Sequence, residues 1–595
     1  MQIHEIHEKG FSFKSLFVPI TNIKAIYWVA TIGVIVYFNS FFNNFVADDF
    51  LYIINNPNIH SLNPLDAFGP NSFNVAGQYR AFSALYFSFF YKLFGSITFL
   101  YHILQLSLHV SCAFLFYLFL KKYLTEFVSL FLSILFIVHP IQAESAIYIA
   151  QTVNPIFSLF GLLALLFLSR KNLSTKYIII SFILLLLSLL TKETGFLFIV
   201  LVLLYTILFF PGRLLKLLVA SLIIIIFYSY FRFGLGHIGF ETRLLTPISD
   251  LHLLTRIINI PLIILYYIKA LIYPVNLSLG QQWIIASISF SSFYLPLILD
   301  LAFFISIGLP GIYILKNKNK LFKIYLFFLI WFALGIILTL QLFPLDKTVS
   351  NTWFYFPFMG LLGLLGVTVQ SFLPNMQRYK SFYLNIACII LLILSLLTII
   401  RNTNWFDNIA LFTHDSLVSD NYEVEEHLGM EYMKDADYKN AIKHYAISVR
   451  ERPYEYNLLN LGLIYEAIGD KKNAKYYLSK SLQAKDYKLF TPHKHGLNTY
   501  LSYASYLILY DNPSDAVYFL KNFALKDYPQ SWQLWMYLSL SDYASQNKPE
   551  AVDAAKNLYK FNPSETGLSV SSYLLKHDNY SKSDLYNILF MKVSN

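Results

Sequence analysis

Ionisable residues are sparse in the first four hundred positions of this 595-residue chain, and they fall in short clusters. The segment FNNFVADDFLYIINNPNIH, 42 to 60, sets Asp48 beside Asp49. Adjacent carboxylates repel, and next to a low-dielectric boundary at least one has a raised pKa, which suits a general base or a metal holder. The other reading of the pair is two solvated loop acids capping the helix that follows. Further on, QYRAFSALYFSFFYKLFG, 78 to 95, carries Arg80 and Lys92. HPIQAES, 139 to 145, carries His139 and Glu144, and TKET, 191 to 194, carries Lys192 and Glu193, while Arg243 and Arg256 flank a later loop. A carboxylate base with a cationic clamp for phosphate is what a transferase using a lipid-phosphate donor needs. Each residue also has a plainer reading. Arg80 and Lys92 can snorkel, His139 with Pro140 can cap a helix end, and Lys192 with Glu193 can be a local ion pair. Their co-location on one side of a membrane carries the argument.

The elements that must position them are apolar. Only 13% of the residues are charged and 56% are hydrophobic, against roughly 25% charged in a soluble protein, so this is a membrane protein. Residues 1 to 400 hold 24 Lys and Arg against 12 Asp and Glu, whereas 401 to 595 hold 21 against 23. That split excludes a uniform fold, a wholly embedded protein and a nucleic-acid partner as the reason for the basic charge. The two cysteines, Cys112 and Cys388, lie in apolar runs and read as buried small residues; two are too few for a disulfide framework or a cysteine-ligated zinc.

A span needs about 20 apolar residues. Runs of that kind lie near 26–45, 98–120, 124–138, 147–169, 176–190, 195–211, 213–231, 291–315, 321–343, 353–373 and 381–400, which predicts 11 spans. Basic clusters at Lys121 and Lys122, at Arg170, Lys171 and Lys176, at Arg213 and Lys216, at 316 to 323, and at Arg378 and Lys380 mark the cytoplasmic face. Residues 1–25 are then a cytoplasmic segment without a cleaved leader, 26–400 the membrane domain, and 46–97 its first outer loop. The apolar run at 256 to 273 breaks the alternation. It reads as re-entrant or interfacial within an outer segment 232–290, because the spans on either side leave both ends of that segment outside.

After a linker at 401–422, residues 423–595 carry tetratricopeptide spacing: a small residue in a first helix, an aromatic three on, an alanine opening a second helix. The first unit reads Leu428, Gly429, Tyr432, Ala441, Tyr445, Pro453 and the second Leu461, Gly462, Tyr465, Ala474, Leu478. Looser units follow at Ala504, Leu507, Ala516, Leu520 and Pro529, and at Ser539, Ala551, Ala555 and Pro563. The fold class is all-α: a polytopic helical bundle followed by an α-solenoid that offers a concave surface to a peptide or protein.

These motifs occur in a telling order. Asp48 and Asp49 precede Asn55 and Asn56, then come Tyr79-Arg80, YHILQLSLH at 101 to 109, HPIQAESA at 139 to 146, TKETG at 191 to 195, FYFPFMG at 354 to 360 and RNTNWFDNIALF at 401 to 412. In that order the chain resembles the transmembrane and tetratricopeptide repeat O-mannosyltransferases of the GT-C glycosyltransferase superfamily, over nearly its whole length. It departs from them in having Ala81 where the family usually has proline, Ser350-Asn351 where a charged pair is usual, and four repeat units, a short array. The resemblance implies inverting transfer of a sugar, mannose, from a polyprenyl-phosphate donor to a hydroxyl of a protein acceptor on the non-cytoplasmic side. A divalent metal is permitted but not required. Asp48 would be the base and Asp49 its neighbour, with the basic residues on the leaving phosphate. The implied partners are the bilayer, the lipid-linked sugar and an acceptor at the repeats, in a multi-pass cell-membrane protein with its repeat domain outside. The alternative is a membrane-anchored repeat scaffold without catalysis.

Overall fold

The computed structural model describes residues 20–61, 63–69, 77–239, 246–285, 287–376, 380–419, 421–484 and 495–562. Most of the segment 1–25, together with Arg243, Arg378 and Pro563, lies outside them. The chain divides into two compact units, Met1–Asp420 and Asn421–Asn595. The described residues are helical throughout apart from turns, loops and one isolated antiparallel bridge between Gln281 and Val349.

The principal helices of the first unit are α1 (Asn22–Tyr37), α2 (Ala81–Phe94), α3 (Thr98–Leu120), α4 (Glu126–Val138), α5 (Val153–Leu168), α6 (Thr175–Thr191), α7 (Phe196–Phe209), α8 (Leu214–Ser229), α9 (Leu253–Ile272), α10 (Leu295–Asn317), α11 (Asn319–Ile337), α12 (Tyr355–Met376), α13 (Lys380–Thr403) and α14 (Asn408–Val418). By length and composition nine described helices can cross a membrane, or ten if the bent pair Glu126–Val138 and Pro140–Ile147 is one span. This differs from the 11 runs of the sequence for two physical reasons. Helices α4, α6 and α7 are apolar but short, α4 counting only within the bent pair, and α9 is long and apolar enough to be counted.

Hydrogen bonds between helix ends define the two faces. On one, Lys121 reaches Asn22, Lys122 donates to the Ser169 carbonyl (3.1 Å), Arg213 to that of Arg170 (2.8 Å) and Lys323 to that of Leu208 (3.1 Å). On the other, Asn43 Nδ2 meets the Asn402 carbonyl (3.1 Å), Lys192 Nζ meets Asn154 (2.7 Å) and Asn351 Nδ2 meets Glu144 (2.8 Å). Both flanks of α9 belong to this second face. Leu271 near its end accepts from His139 (3.0 Å), and before its start Thr246 donates to Leu345, in the same loop whose Val349 pairs with Gln281. A 20-residue helix is about 30 Å long, and a crossing would separate its ends by the membrane's thickness. Along α9, Asn259, Pro261, Ile263, Tyr267 and Ala270 are buried and Leu254, Ile257 and Ile272 exposed.

Elsewhere the bundle packs through small residues. A Cβ on Gly360 would stand 2.6 Å from the Phe332 backbone nitrogen, and Gly363 lies directly under the Phe328 ring, so α11 and α12 touch backbone to backbone. Cys112 is buried as expected; Cys388 is not, because α13 turns an apolar face with Ile386, Ile389 and Ile393 outward. The segment read as a linker mostly belongs to the first unit, as the end of α13 and α14.

The second unit is a row of helical hairpins: α15 (Tyr422–Lys434) with α16 (Tyr438–Glu451), α17 (Glu455–Ala467) with α18 (Lys471–Ser481), α19 (Leu497–Tyr510) with α20 (Pro513–Phe519), and α21 (Trp532–Ala544) with α22 (Lys548–Phe561). The repeated residues do the packing. Gly429 leaves room for Tyr445 and Gly462 for Leu478, where a Cβ would come within 2.6 and 2.8 Å. Asp437 caps α16 through Asn440, and Asp470 caps α18 through Asn473, by the same pair of bonds.

The placement of α9 predicts its own labelling. Single cysteines at His252 and at Val275, tested in sealed vesicles with an impermeant maleimide, are expected to react from the same side. Reaction from opposite sides would make α9 a span.

Candidate functional site

The first loop leaves α1 and bends at Ala47, whose φ of 48° is left-handed and strained for a residue with a Cβ. Its neighbours hold the bend. The Ala47 amide donates to Asn408 (2.8 Å) and the Asp48 amide to the Tyr148 hydroxyl (2.9 Å). Beyond it the two acids part. Asp49 is 1% exposed; one oxygen accepts from Val46 (3.0 Å) and the other from Ala150 (2.6 Å). Burial pushes its pKa up to about 8 despite those two bonds. Asp48 is exposed. One carboxylate is therefore a staple between the first loop and the start of α5, and the other is open.

A second group gathers on Glu193, just after α6. Its carboxylate accepts from the Tyr79 amide (2.9 Å) and pairs with Arg80 (3.5 Å) and Arg232 (3.7 Å). Both guanidinium groups are about nine-tenths buried, at 11% and 8% exposure, while Glu193 is 36% exposed. Lys192 turns the other way, to Asn154. Removal from water, followed by the nearby Arg80, lowers its pKa to about 7. Two arginines thus meet on one carboxylate with Lys192 close behind, a gathering of basic groups suited to an anion. Tyr52 joins this group to the open acid: its hydroxyl lies within electrostatic reach of Asp48, Arg80, Asp346 and Glu193, and burial raises its pKa.

The remaining sequence candidates lie apart from this cluster. In His139 the Nδ1 accepts from the Ile141 amide (3.2 Å) and Nε2 donates to Leu271 (3.0 Å), so both ring nitrogens serve the fold. Glu144 is 1% exposed and belongs to a network in which Arg401 reaches Glu144 (3.4 Å), Asp415 (3.6 Å) and His414 (3.2 Å). Asn351 donates to Glu144, and Asp415 accepts from the Leu279 amide (2.7 Å). Arg256 stands near the start of α9, its Nε shielded and unpartnered, some turns from the His139 contact. Among the described residues no three His, Cys, Asp or Glu side chains gather as a metal site.

Arg232, Tyr52, Tyr148, Asp346 and Arg401 were not among the sequence candidates. Arg232 had a signal, a charge in the apolar stretch FRFGLG, and Arg401 opens the RNTNW motif. The tyrosines had none, since nothing in their surroundings in sequence separates them from the other 43.

Arg401 is 4% exposed between Glu144 and Asp415, so its removal leaves two buried carboxylates unpaired. Arg401→Met is expected to destabilise the protein by about 3–5 kcal/mol, and adding Glu144→Gln to restore part of that loss. Thermal unfolding of the purified variants reads both.

Comparison with known proteins agrees with the order of motifs. No family model matches the chain. It is similar to the human protein named Protein O-mannosyl-transferase TMTC3, at 24% identity over 512 residues, 78% of this chain and 55% of that one. The mouse protein of the same name matches at 24% over 514 residues, with the same shares. The Caenorhabditis elegans Protein O-mannosyl-transferase F38B6.6 matches at 29% over 272 residues, 42% of this chain and 37% of that one. The chain spans about half the length of the TMTC3 proteins it matches. The likeness first visible in the ordered motifs is therefore a likeness of sequence over most of this chain, to the transmembrane and tetratricopeptide repeat O-mannosyltransferases.

Proposed function

We propose that the protein is a membrane O-mannosyltransferase of GT-C type that moves mannose from a polyprenyl-phosphate donor to a hydroxyl of a protein acceptor, on the non-cytoplasmic side. The observation that carries this reading is the pairing of one open carboxylate, Asp48, with the cationic group Arg80, Lys192 and Arg232 around Glu193, both within reach of Tyr52. The relatives' printed names support the sugar and the acceptor class. The lysine-bearing ends on the opposite face support the sidedness, since positive loops stay in the cytoplasm.

In this reading Asp48 takes the proton of the acceptor hydroxyl as its oxygen attacks the anomeric carbon of the sugar. The bond from that carbon to the phosphate oxygen breaks on the far side, which inverts the configuration. The electron pair leaves with the phosphate, whose growing charge is met by Arg80, Lys192 and Arg232. Asp49 stays out of the chemistry and keeps the loop in place. Transfer from a phosphodiester to a hydroxyl needs no metal step, and a bound divalent ion would add to the charge on the phosphate side. The repeats would hold the acceptor.

The purified protein in nanodiscs, given polyprenyl-phosphate mannose and a Ser/Thr peptide, is expected to release polyprenyl phosphate and mannosylate the peptide. Asp48→Asn, an exposed site that leaves the loop's bonds intact, should lower kcat by about 10²- to 10⁴-fold with unchanged thermal stability. Lys192→Ala should act mainly on the donor KM. Full activity of Asp48→Asn removes Asp48 as the base; no lipid-phosphate release from any sugar donor removes the transferase reading.

A further inference from the structure

Lys192 stands just past α6, in extended backbone, and its side chain reaches the first turn of α5. There Nζ donates to Asn154 Oδ1 at 2.7 Å and lies 6.0 Å from the centre of the Phe157 ring, one turn on. Asn154 is 1% exposed, and its amide nitrogen donates to Ser145 Oγ (3.0 Å) and Gln151 Oε1 (3.3 Å). An ammonium only donates, so Oδ1 is the atom of the Asn154 side chain that can meet it, and the other two bonds fix which way it points. Ser145 is held in turn. Gln105 of α3, fully buried, donates to the Ser145 carbonyl (3.0 Å) and to that of Tyr148 (2.8 Å).

The same short segment, 145 to 154, also holds the acid side of the site. The Tyr148 hydroxyl accepts from the Asp48 amide, and the Ala150 amide donates to Asp49. One segment, anchored by Gln105, thus carries the mounts of the open carboxylate and of the lysine. What stands at position 154 matters for charge as well as for place. A carboxylate is favoured in the first turn of a helix, and one here would pair with the ammonium and cancel it. The chain has an amide instead, the same shape without the charge, and the first turn of α5 holds no acid. The charged groups acting on Lys192 are Arg80, Glu193 and Asp346; burial and then Arg80 lower its pKa to about 7, and the two acids oppose that.

We propose that Asn154 is the positioning residue of the phosphate-side lysine: its carbonyl oxygen fixes the Lys192 ammonium, and its neutrality leaves that positive charge for the donor's phosphate. This role rests on the reading of Lys192 as a ligand of the donor phosphate, and Asn154 itself touches no substrate. Oδ1 takes one of the ammonium's three N–H donors, which leaves two to turn toward an anion. Loss of the acceptor leaves a shielded cation less well held and lowers its pKa further, whereas a carboxylate in its place raises the pKa and compensates the charge. The two changes push Lys192 in opposite directions.

The test titrates the full chain in nanodiscs with a fluorescent, non-transferable polyprenyl-phosphonate mannose, whose single negative charge is constant through neutral and alkaline pH. With the unmodified protein, binding is expected to weaken as pH rises through about 7, where Lys192 loses its proton. Lys192→Gln should remove that dependence. Asn154→Leu should move its midpoint to lower pH and Asn154→Asp to higher pH, the latter also binding ~10-fold more weakly on the acid side of neutrality. A purely structural role for Asn154 would weaken binding without moving the midpoints in opposite directions. Overturning results are a dependence that persists in Lys192→Gln, unmodified protein whose binding does not change through neutrality, or Asn154 variants whose midpoints coincide or shift together. The first two need no Asn154 variant to fold. Transfer from polyprenyl-phosphate mannose is read separately. Opposite shifts without transfer from any donor sink the transferase reading and leave the role of Asn154, and transfer with unmoved midpoints does the reverse.

Discussion

Two hydrogen bonds to one buried carboxylate decide where the open acid of the site stands. Asp49 joins Val46 in the first loop to Ala150 at the start of α5, more than a hundred residues further along the chain. With both its oxygens committed inward, the left-handed turn at Ala47 carries Asp48 outward, next to Tyr148 and Tyr52. The adjacent acids do not share one task. Repulsion between them is relieved by opposite surroundings, one shielded and held by backbone amides, the other in contact with solvent.

The same economy governs the rest of this face. Close to a membrane, polar groups left without partners are costly, and the loops between spans meet that cost by bonding to one another across long stretches of sequence. Arg401 draws together the segments carrying Glu144 and Asp415, Asn351 closes on Glu144, and His139 fastens α4 to the end of α9. These groups hold the frame. Arg80, Arg232 and Glu193 form a separate group with Lys192 behind it, joined to the open acid through Tyr52.

Much of this is legible in the order of residues. Apolar runs show the bundle, and lysines mark one of its two faces. The small residues Gly429, Ala441, Gly462 and Ala474 show the hairpins, because each is small for one reason, the side chain or backbone packed against it. Parity of the spans alone reads α9 as re-entrant, whereas its length and composition suit a crossing. Roles within the site were much less legible. Which of Asp48 and Asp49 faces inward depends on a backbone angle at Ala47 and on an amide at Ala150, neither of which leaves a mark near the pair. Glu144 and His139 have the residue types of a site and the surroundings of a frame. Arg232, lying at the end of an apolar run, reads as a helix end until Glu193 and Gly77 are seen beside it.

In the proposed reaction, phosphate chemistry takes place on the face bearing Asp48. The most direct measurement is an electron cryomicroscopy map of the protein in nanodiscs with a non-transferable polyprenyl-phosphonate mannose. The phosphonate is expected against Arg80, Lys192 and Arg232, with the sugar between it and Asp48. A phosphonate seated among the lysines at the opposite ends of the spans, or one on this face but held by Arg401 and His139 away from Asp48, would contradict it.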